Sequence, residues 1–448
     1  MKIIIAGAGQ VGTYLAKMLG GKEHSLAVID QDESRLANLS DSADVTAIHG
    51  DPTSISVLKE VGIDTADLFV SVYPENDQFN IVASMIAKQL GAKKVTARVD
   101  NAEYLTHENK LLFTNMGIDL LFYPEKVAAS EICDLLKQTI MSEYVDFAHG
   151  KLQLAVYRLE KGSELIDKTQ DYFTYPQDDL PFKIIAISRG GKTIIPTQET
   201  KFRLYDLMFV IVRKESVAEA MKYSGKEDFS VRRIMILGGG KVGEMVAKKM
   251  ENSADSVKLI EKNRDRCEEL SQHLEKTLVI NGDGRNSDLL YEEDIRNCDA
   301  FVAVTSSTET NILACMVAKR HGVPKTIAEV ENLEYLKLAE GMGVDATINK
   351  KLITAGRMFR FTLSNKVRTI KCLNGSDAEV LEYIVNPDSL ITKAPLGELR
   401  FPENAIIGGV IRGTESFIAI DSTQIMPYDR VAVFALPESL KAIDKFFV

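Results

Sequence analysis

The sequence predicts an α/β protein made of two doubly wound parallel-sheet domains, each followed by a small α+β module. Three observations carry that prediction. The stretch "IIIAGAGQVGTYLA" near the start is echoed 231 positions later by "IMILGGGKVGEMVA". In both places a glycine-rich turn follows an apolar run and opens an amphipathic stretch, the context in which G-x-G-x-x-G has structural meaning. Short β-branched runs then alternate with helical patterns, which reads as βαβ units with a parallel sheet covered on both faces.

The elements follow in order. "KIIIAGA" is a strand, Val11 to Leu19 a helix and "SLAVID" a strand; a helix, "VTAIHGD", a helix, "LFVSV", a helix and "KVTARV" complete the unit. The second half repeats it. Gly7, Gly9 and Gly12 match Gly238, Gly240 and Gly243, and "LAVID" ending at Asp30 matches "VKLIE" ending at Glu261. Further on, "HGD" ending at Asp51 matches "NGD" ending at Asp283, and "DLFVSVYPENDQFNIVASMIAKQLG" matches "DAFVAVTSSTETNILACMVAKRHG". An offset this constant is duplication, and each copy is a Rossmann-like unit. The strand-rich segments behind them also align, pairing Arg189 with Arg412 and Tyr205-Asp206 with Tyr428-Asp429. They have Gly and Pro turns, a short closing helix and no glycine loop. Linkers are expected in the helical passages Ala128 to Ser142 and Thr354 to Lys366, and in the polar "SGKEDFSVRR" between halves.

Bulk properties exclude several classes. The 448 residues carry a net charge of -10 with both signs interspersed, which gives no footing for a sequence-independent grip on nucleic acid or an anionic membrane. Apolar runs end in glycine or charge well short of the ~18 to 20 residues a membrane span needs, so no direct insertion is expected. "MKIIIAGAG" enters a strand without signal-peptide architecture, which points to the cytoplasm. Five scattered cysteines without C-x-x-C spacing fit a reducing compartment, and neither they nor the six histidines show metal-ligand spacing. No metal is expected.

The glycine loops suit a nucleotide. The first glycine permits the tight turn, the second lets backbone approach a pyrophosphate and the third lets helix pack on strand, while the helix N-terminus favours anionic oxygens. Gly7, Gly9 and Gly12 fill these roles in the first half, and Gly238, Gly240 and Gly243 in the second. Asp30 and Glu261 end the next strand, where a carboxylate accepts from ribose hydroxyls and repels a 2′-phosphate, favouring NAD over NADP. The competing account is that the loops only turn the chain and the acids are solvated. Asp51 and Asp283 read first as caps of the following helix and second as ligand contacts.

The halves are not equivalent. Arg98 in "TARV" stands where "IAEV" has Glu329, and it either pairs with a phosphate or makes a salt bridge. The preceding loop offers the Tyr73 ring and a stiff Pro74 in the first half, and the hydroxyls of Thr305 and Ser306 in the second. On this basis the first site is expected to take a more highly charged or extended nucleotide.

An NAD-dependent oxidoreductase is the alternative, but it needs a substrate domain with a proton donor beside the nicotinamide. No Tyr-x-x-x-Lys, His-Asp or cysteine nucleophile arrangement stands out, and paired nucleotide domains with small modules suit sensing better than catalysis. The tandem motifs, with the two "YD" modules, resemble the TrkA family along essentially the whole chain. These are cytosolic regulatory subunits of bacterial Trk-type potassium uptake systems, built from tandem RCK (or KTN) domains. The resemblance implies RCK N-lobes at about 1–125 and 230–348 and RCK C-lobes at about 140–225 and 368–448. It implies a homo-oligomeric ring on the inner face of the plasma membrane, docked on a membrane potassium transporter subunit and reshaped by NAD(H) or by ATP and ADP. By position, the family's contacts fall on Gly7, Ala8, Gly9, Gln10, Val11, Asp30, Tyr73, Pro74 and Arg98. In the second half they fall on Gly238, Gly239, Gly240, Lys241, Val242 and Glu261. "VYPEN" departs from the threonine-serine run of the family and is one residue longer than its counterpart here.

Overall fold

The computed structural model describes residues 1–19, 25–40, 45–74, 76–137, 141, 143–147, 150–173, 180–189, 192–225, 229–362, 367–372 and 378–447. Of the sequence readings, His24, Glu75 in "VYPEN", 226–228 in "SGKEDFSVRR", and linker positions 138–140, 142 and 363–366 lie outside the described residues.

The first lobe runs β1 (Lys2–Ala6), α1 (Gln10–Leu19), β2 (Ser25–Asp30), α2 (Glu33–Ser40), β3 (Val45–His49), α3 (Ile55–Glu60), β4 (Leu68–Ser71), α4 (Asp77–Gln89), β5 (Lys94–Arg98), α5 (His107–Asn115) and β6 (Leu120–Phe122). All six strands are parallel, in the order β3-β2-β1-β4-β5-β6. The central strand shows no alternation because both faces are covered: Ile3, Ile4, Ile5 and Ala6 are all fully buried. On α1, Leu15, Ala16 and Leu19 are buried at helical spacing. The order reverses between β1 and β4, which opens a crevice beyond the carboxyl ends of those strands. The three-residue β6 closes the sheet after "KVTARV", one strand beyond those legible in the sequence.

After α6 (Pro124–Lys137) come β7 (Glu143–Phe147), β8 (Leu152–Arg158), β9 (Phe182–Arg189), β10 (Lys192–Ile194), β11 (Leu207–Arg213) and α7 (Val217–Lys222). The second lobe repeats the first: β12 (Arg233–Leu237), α8 (Lys241–Met250), β13 (Ser256–Glu261), α9 (Arg264–His273), β14 (Thr277–Asn281), α10 (Ser287–Glu292), β15 (Ala300–Ala303), α11 (Thr308–Arg320), β16 (Lys325–Glu329), α12 (Leu333–Gly341) and β17 (Ala346–Ile348). Its order, β14-β13-β12-β15-β16-β17, is the same. Then follow α13 (Lys350–Thr362), β18 (Val367–Cys372), β19 (Glu379–Ile384), β20 (Ala405–Arg412), β21 (Glu415–Ile418), β22 (Arg430–Ala435) and α14 (Leu440–Phe447).

The chain divides into two compact units, Met1–Ala128 with Lys350–Ser364, and Ala129–Asn349 with Asn365–Val448. In the first unit α13, which follows the second lobe in sequence, packs on α1 of the first lobe. Thr96 Oγ1 lies 3.3 Å from Met358 Sδ in that packing. In the other unit Lys249 Nζ on α8 reaches Ser130 Oγ on α6 at 3.2 Å. Each connecting helix, read from sequence as a linker, therefore contributes to the lobe that is not its neighbour in the chain.

Within the larger unit the antiparallel sheets β10-β9-β11-β8-β7 and β18-β19-β22-β20-β21 share one core. Phe147, Leu154, Phe209 and Ile211 from one meet Val380, Ile411, Ile418 and Phe434 from the other, with the Phe209 and Phe434 rings 5.6 Å apart. The paired arginines and "YD" turns meet within each module. Arg189 grips Asp206 bidentately at 2.8 and 2.7 Å, and Arg412 grips Asp429 at 2.9 and 2.7 Å. Cys133, Cys267, Cys298 and Cys315 are buried free thiols.

Candidate functional site

In the first lobe the chain leaves β1 through Gly7, whose φ of 110° suits only glycine without strain. Its N–H still donates to Ile29 O at 2.8 Å, so the turn begins while the strand ladder is intact. The first helical bond of α1 runs from Thr13 N to Gly9 O at 2.9 Å. The amides before Thr13 have no carbonyl one turn back and are left for other acceptors. A Cβ at Gly12 would collide with the Gly7 carbonyl, whereas one at Gly9 would meet nothing within 4 Å. Gly12 thus closes the packing of helix on turn, and Gly9 keeps the outer face of the loop open.

Asp30 holds this loop from beneath. Its carboxylate is 1% exposed and accepts from Ala8 N at 2.6 Å and from Asp32 N at 2.8 Å. A carboxylate has about four lone-pair directions. Two go to backbone, and two remain for a diol. The second lobe reproduces the arrangement: Gly238 has φ 108°, Gly238 N donates to Ile260 O at 2.9 Å, and Glu244 N donates to Gly240 O at 3.0 Å. Glu261 accepts from Gly239 N and Asn263 N, both at 2.7 Å. Gly240, like Gly9, has nothing within 4 Å of an added Cβ. Both loops therefore have the geometry that suits a diphosphate, with an acid at the ribose position that is half-buried at Glu261 and fully buried at Asp30.

The remaining expected residues fall as follows. Ala8 and Val242 are buried, Val11 is half-buried, and Gln10 and Lys241 are exposed beside the loops. Asp51 Oδ1 accepts from Thr53 N at 2.7 Å and Thr53 Oγ1 at 2.6 Å, which ties the turn before α3. Asp283 is clasped by Arg285, whose Nη2 lies 2.6 Å from Oδ2, with Lys262 Nζ at 3.3 Å. The Arg285 side chain, followed by its backbone N–H, holds Asp283 well below the usual carboxylate range. Arg98 is 9% exposed, and its guanidinium contacts Asp100 Oδ1 at 3.2 Å and Glu125 Oε1 at 3.0 Å. Those carboxylates already satisfy the charge assigned to a phosphate. Glu329, at the matching position, is 4% exposed. Thr305 Oγ1 donates to Asn311 Oδ1 at 2.6 Å, Ser306 and Pro74 are exposed, and the Tyr73 ring lies against Gly7.

Two pairs of residues escaped the sequence reading. Arg35 and Arg266 stand in equivalent register on α2 and α9. Arg35 Nη1 is 4.0 Å from Asp30 Oδ2, and Arg266 Nε donates to Gly239 O at 2.8 Å while Nη2 meets Glu244. Asn80 and Asn311 are buried in the first turns of α4 and α11, at 0% and 1% exposure. Asn311 Nδ2 donates to Thr305 O at 3.0 Å and Glu329 O at 2.8 Å; Asn80 Nδ2 donates to Tyr73 O at 2.7 Å and Arg98 O at 3.0 Å. Each asparagine fastens the loop after the fourth strand to the end of the fifth. The signal was there, as one asparagine kept at the same place at the head of the apolar runs "NIVASMIA" and "NILACMVA".

Comparison with known proteins adds the following. The TrkA-N domain model matches residues 3–124 and 234–350, and the TrkA-C domain model matches 380–448. The chain is 34% identical to the Trk system potassium uptake protein TrkA homolog of Archaeoglobus fulgidus over the full length of both. It is 32% identical to the Trk system potassium uptake protein TrkA of Haemophilus influenzae, covering 100% of this chain and 98% of that one. Among solved structures it resembles the GsuK channel bound to NAD, with TM-score 0.62, 17% identity, and coverage of 100% of this chain and 78% of that chain. The crystal structure of the GsuK RCK domain matches with the same score and identity, over 100% of this chain and 94% of that one. At these identities the structural likeness speaks to fold.

Proposed function

Because the chain belongs to the TrkA family of Trk system potassium uptake proteins, we propose that it is a nucleotide-binding regulatory subunit that gates potassium transport by a membrane partner. The observation that carries this reading is the loop-and-acid cradle built twice, in register, in a chain of that family. In each half the open face at Gly9 or Gly240, the first-turn amides and the ribose-facing acid would hold NAD(H), ADP or ATP. The nucleotide supplies a charged, extended ligand, and no chemistry on it is required.

No helix among the described residues is long and apolar enough to cross a membrane. With the family reading, the proposed seat is the inner face of the membrane, held through a transporter subunit. Ring assembly is supported by apolar residues exposed at matched positions: Val82, Leu112 and Met116 in one lobe, Leu313, Leu338 and Met342 in the other, all 41 to 57% exposed. A nucleotide that binds one arrangement of such a ring better than another shifts the population toward it, by no more than its differential affinity.

The test is calorimetric titration of the purified chain with NADH, NAD, ATP and ADP, repeated on a Gly9→Asp, Gly240→Asp double variant. An aspartate at either position has space for its Cβ and places a negative charge where phosphate would lie. Saturable binding that the double variant loses supports the reading. An intact chain that binds none of the four, or copurifies with no potassium transporter, refutes it.

A further inference from the structure

Tyr73 and Thr305 leave the fourth strand of their lobes at equivalent places and take different routes. Thr305 Oγ1 turns to Asn311 Oδ1 at 2.6 Å. In the first lobe Ser71 Oγ fills that role on Asn80 Oδ1 at 2.8 Å, and the longer loop releases the Tyr73 ring toward the glycine turn. A Cβ built on Gly7 would lie 3.3 Å from Tyr73 Cδ2 and 3.4 Å from Cε2. At Gly238 the three nearest atoms are backbone atoms of Val304 and Thr305. Phe79 holds the tyrosine ring edge-on, with centroids 4.7 Å apart. The phenol oxygen is buried without a well-formed hydrogen bond, beside the Gln31 backbone and near the carboxylates of Asp30 and Asp51. Burial, reinforced by those two charges, holds its proton more tightly than usual.

The ground the ring covers lies between the glycine turn and the acid at the end of β2. A dinucleotide crosses it when its pyrophosphate sits on the loop and its ribose reaches the acid. We propose that Tyr73 occupies the adenosine side of the first nucleotide site, so that the two sites of one chain differ, the second open and the first admitting nucleotide only when this side chain swings out. The inference rests on the reading of both glycine loops as nucleotide sites. The ring stands where part of the ligand would lie, its buried hydroxyl near the acid that would otherwise face ribose.

The test uses the full chain titrated with NADH and with ADP. Gly240→Asp closes the second site, and binding at the first is then compared with and without Tyr73→Thr. The expected result is at least a ten-fold tighter first site in the threonine variant, abolished again by adding Gly9→Asp. Equal or weaker binding in the threonine variant overturns the proposal, since a tyrosine that contacts the ligand would behave that way. Failure of the intact chain to bind either nucleotide overturns the reading of the loops as well, so the two failures are distinguishable. A second measurement does not depend on the threonine variant folding. The chain has no tryptophan, so Tyr73→Trp in the Gly240→Asp background carries a single reporter. A red shift of its emission on saturation with ADP is expected, and unchanged emission during measured binding overturns the proposal.

Discussion

Replacing Asp30 by asparagine keeps the shape of the side chain and removes one acceptor. The two carboxylate oxygens now receive Ala8 N–H at 2.6 Å and Asp32 N–H at 2.8 Å. An amide offers one oxygen, so in either orientation its NH2 group must face one of these donors. With the site 1% exposed, water cannot take the lost bond. Loss of a charge-assisted bond that strands a buried donor costs about 2 to 3 kcal/mol. Arg35, 4.0 Å away and half exposed, adds little to this. Glu261→Gln strands a donor in the same way, but Glu261 is only half-buried, so water relieves part of the loss and about 1 kcal/mol is expected. The assay is scanning calorimetry of the nucleotide-free chain, where ~2 to 3 kcal/mol lowers the midpoint of a lobe this size by roughly 6 to 15 °C. An Asp30→Asn variant that melts within about 2 °C of the parent while losing nucleotide binding would refute the reasoning, since the acid would then serve the ligand and not the loop.

Three further outcomes are expected. Gly12→Ala forces a Cβ into the Gly7 carbonyl and should cost at least ~1 to 3 kcal/mol in a urea titration, whereas Gly9→Ala, open on all sides, should melt normally and bind NADH more weakly. The side chain of Lys93, then the backbone N–H of Lys2, holds the Asp67 carboxyl below its usual range. A carboxyl depressed in the folded state stabilises it above the unfolded value, near 4, and loses that contribution as pH falls through the folded value; Asp67→Asn should therefore be less stable at pH 7, with the difference closing below about pH 4. A gap that persists undiminished at pH 2 would contradict the assignment. Phe434→Ala opens a cavity opposite Phe209 where the two antiparallel sheets meet, and should cost ~3 to 5 kcal/mol by urea unfolding; a loss under ~1 kcal/mol would mean that the sheets do not share that core.

What the sequence disclosed depended on the range of the interaction. Strand, glycine turn, helix and terminal acid lie within about thirty residues, and each imposes a local pattern, so the Gly7–Asp30 and Gly238–Glu261 pairs were readable. Arg189 and Asp206 were aligned with their counterparts by repeat comparison, although only the structure joins arginine to aspartate. The fate of Arg98 was beyond local reading. Asp100 is two residues on, but Glu125 arrives from the start of α6, and together they claim the charge a phosphate would have met. The Tyr73 ring shows the same limit: an extra loop residue was visible, and where the ring would come to rest was not. Likewise no periodicity announces that the two strand-rich modules bury their sheets together, or that α13 belongs with α1.

That placement of α13 sets a timetable for biosynthesis. Thr96 is made 262 residues before Met358, the side chain it ends beside. At the ribosome's pace of ~5 to 20 residues per second, the surface that receives the helix stays uncovered for roughly 13 to 52 seconds in each round of translation. The opening lobe of the nascent chain must stay soluble through that interval with a face unsealed, and a truncated message ending before residue 350 would release it in that condition. Early termination in this chain thus leaves a defect in its oldest part, and quality-control machinery that senses exposed apolar surface would meet the fragment at its beginning.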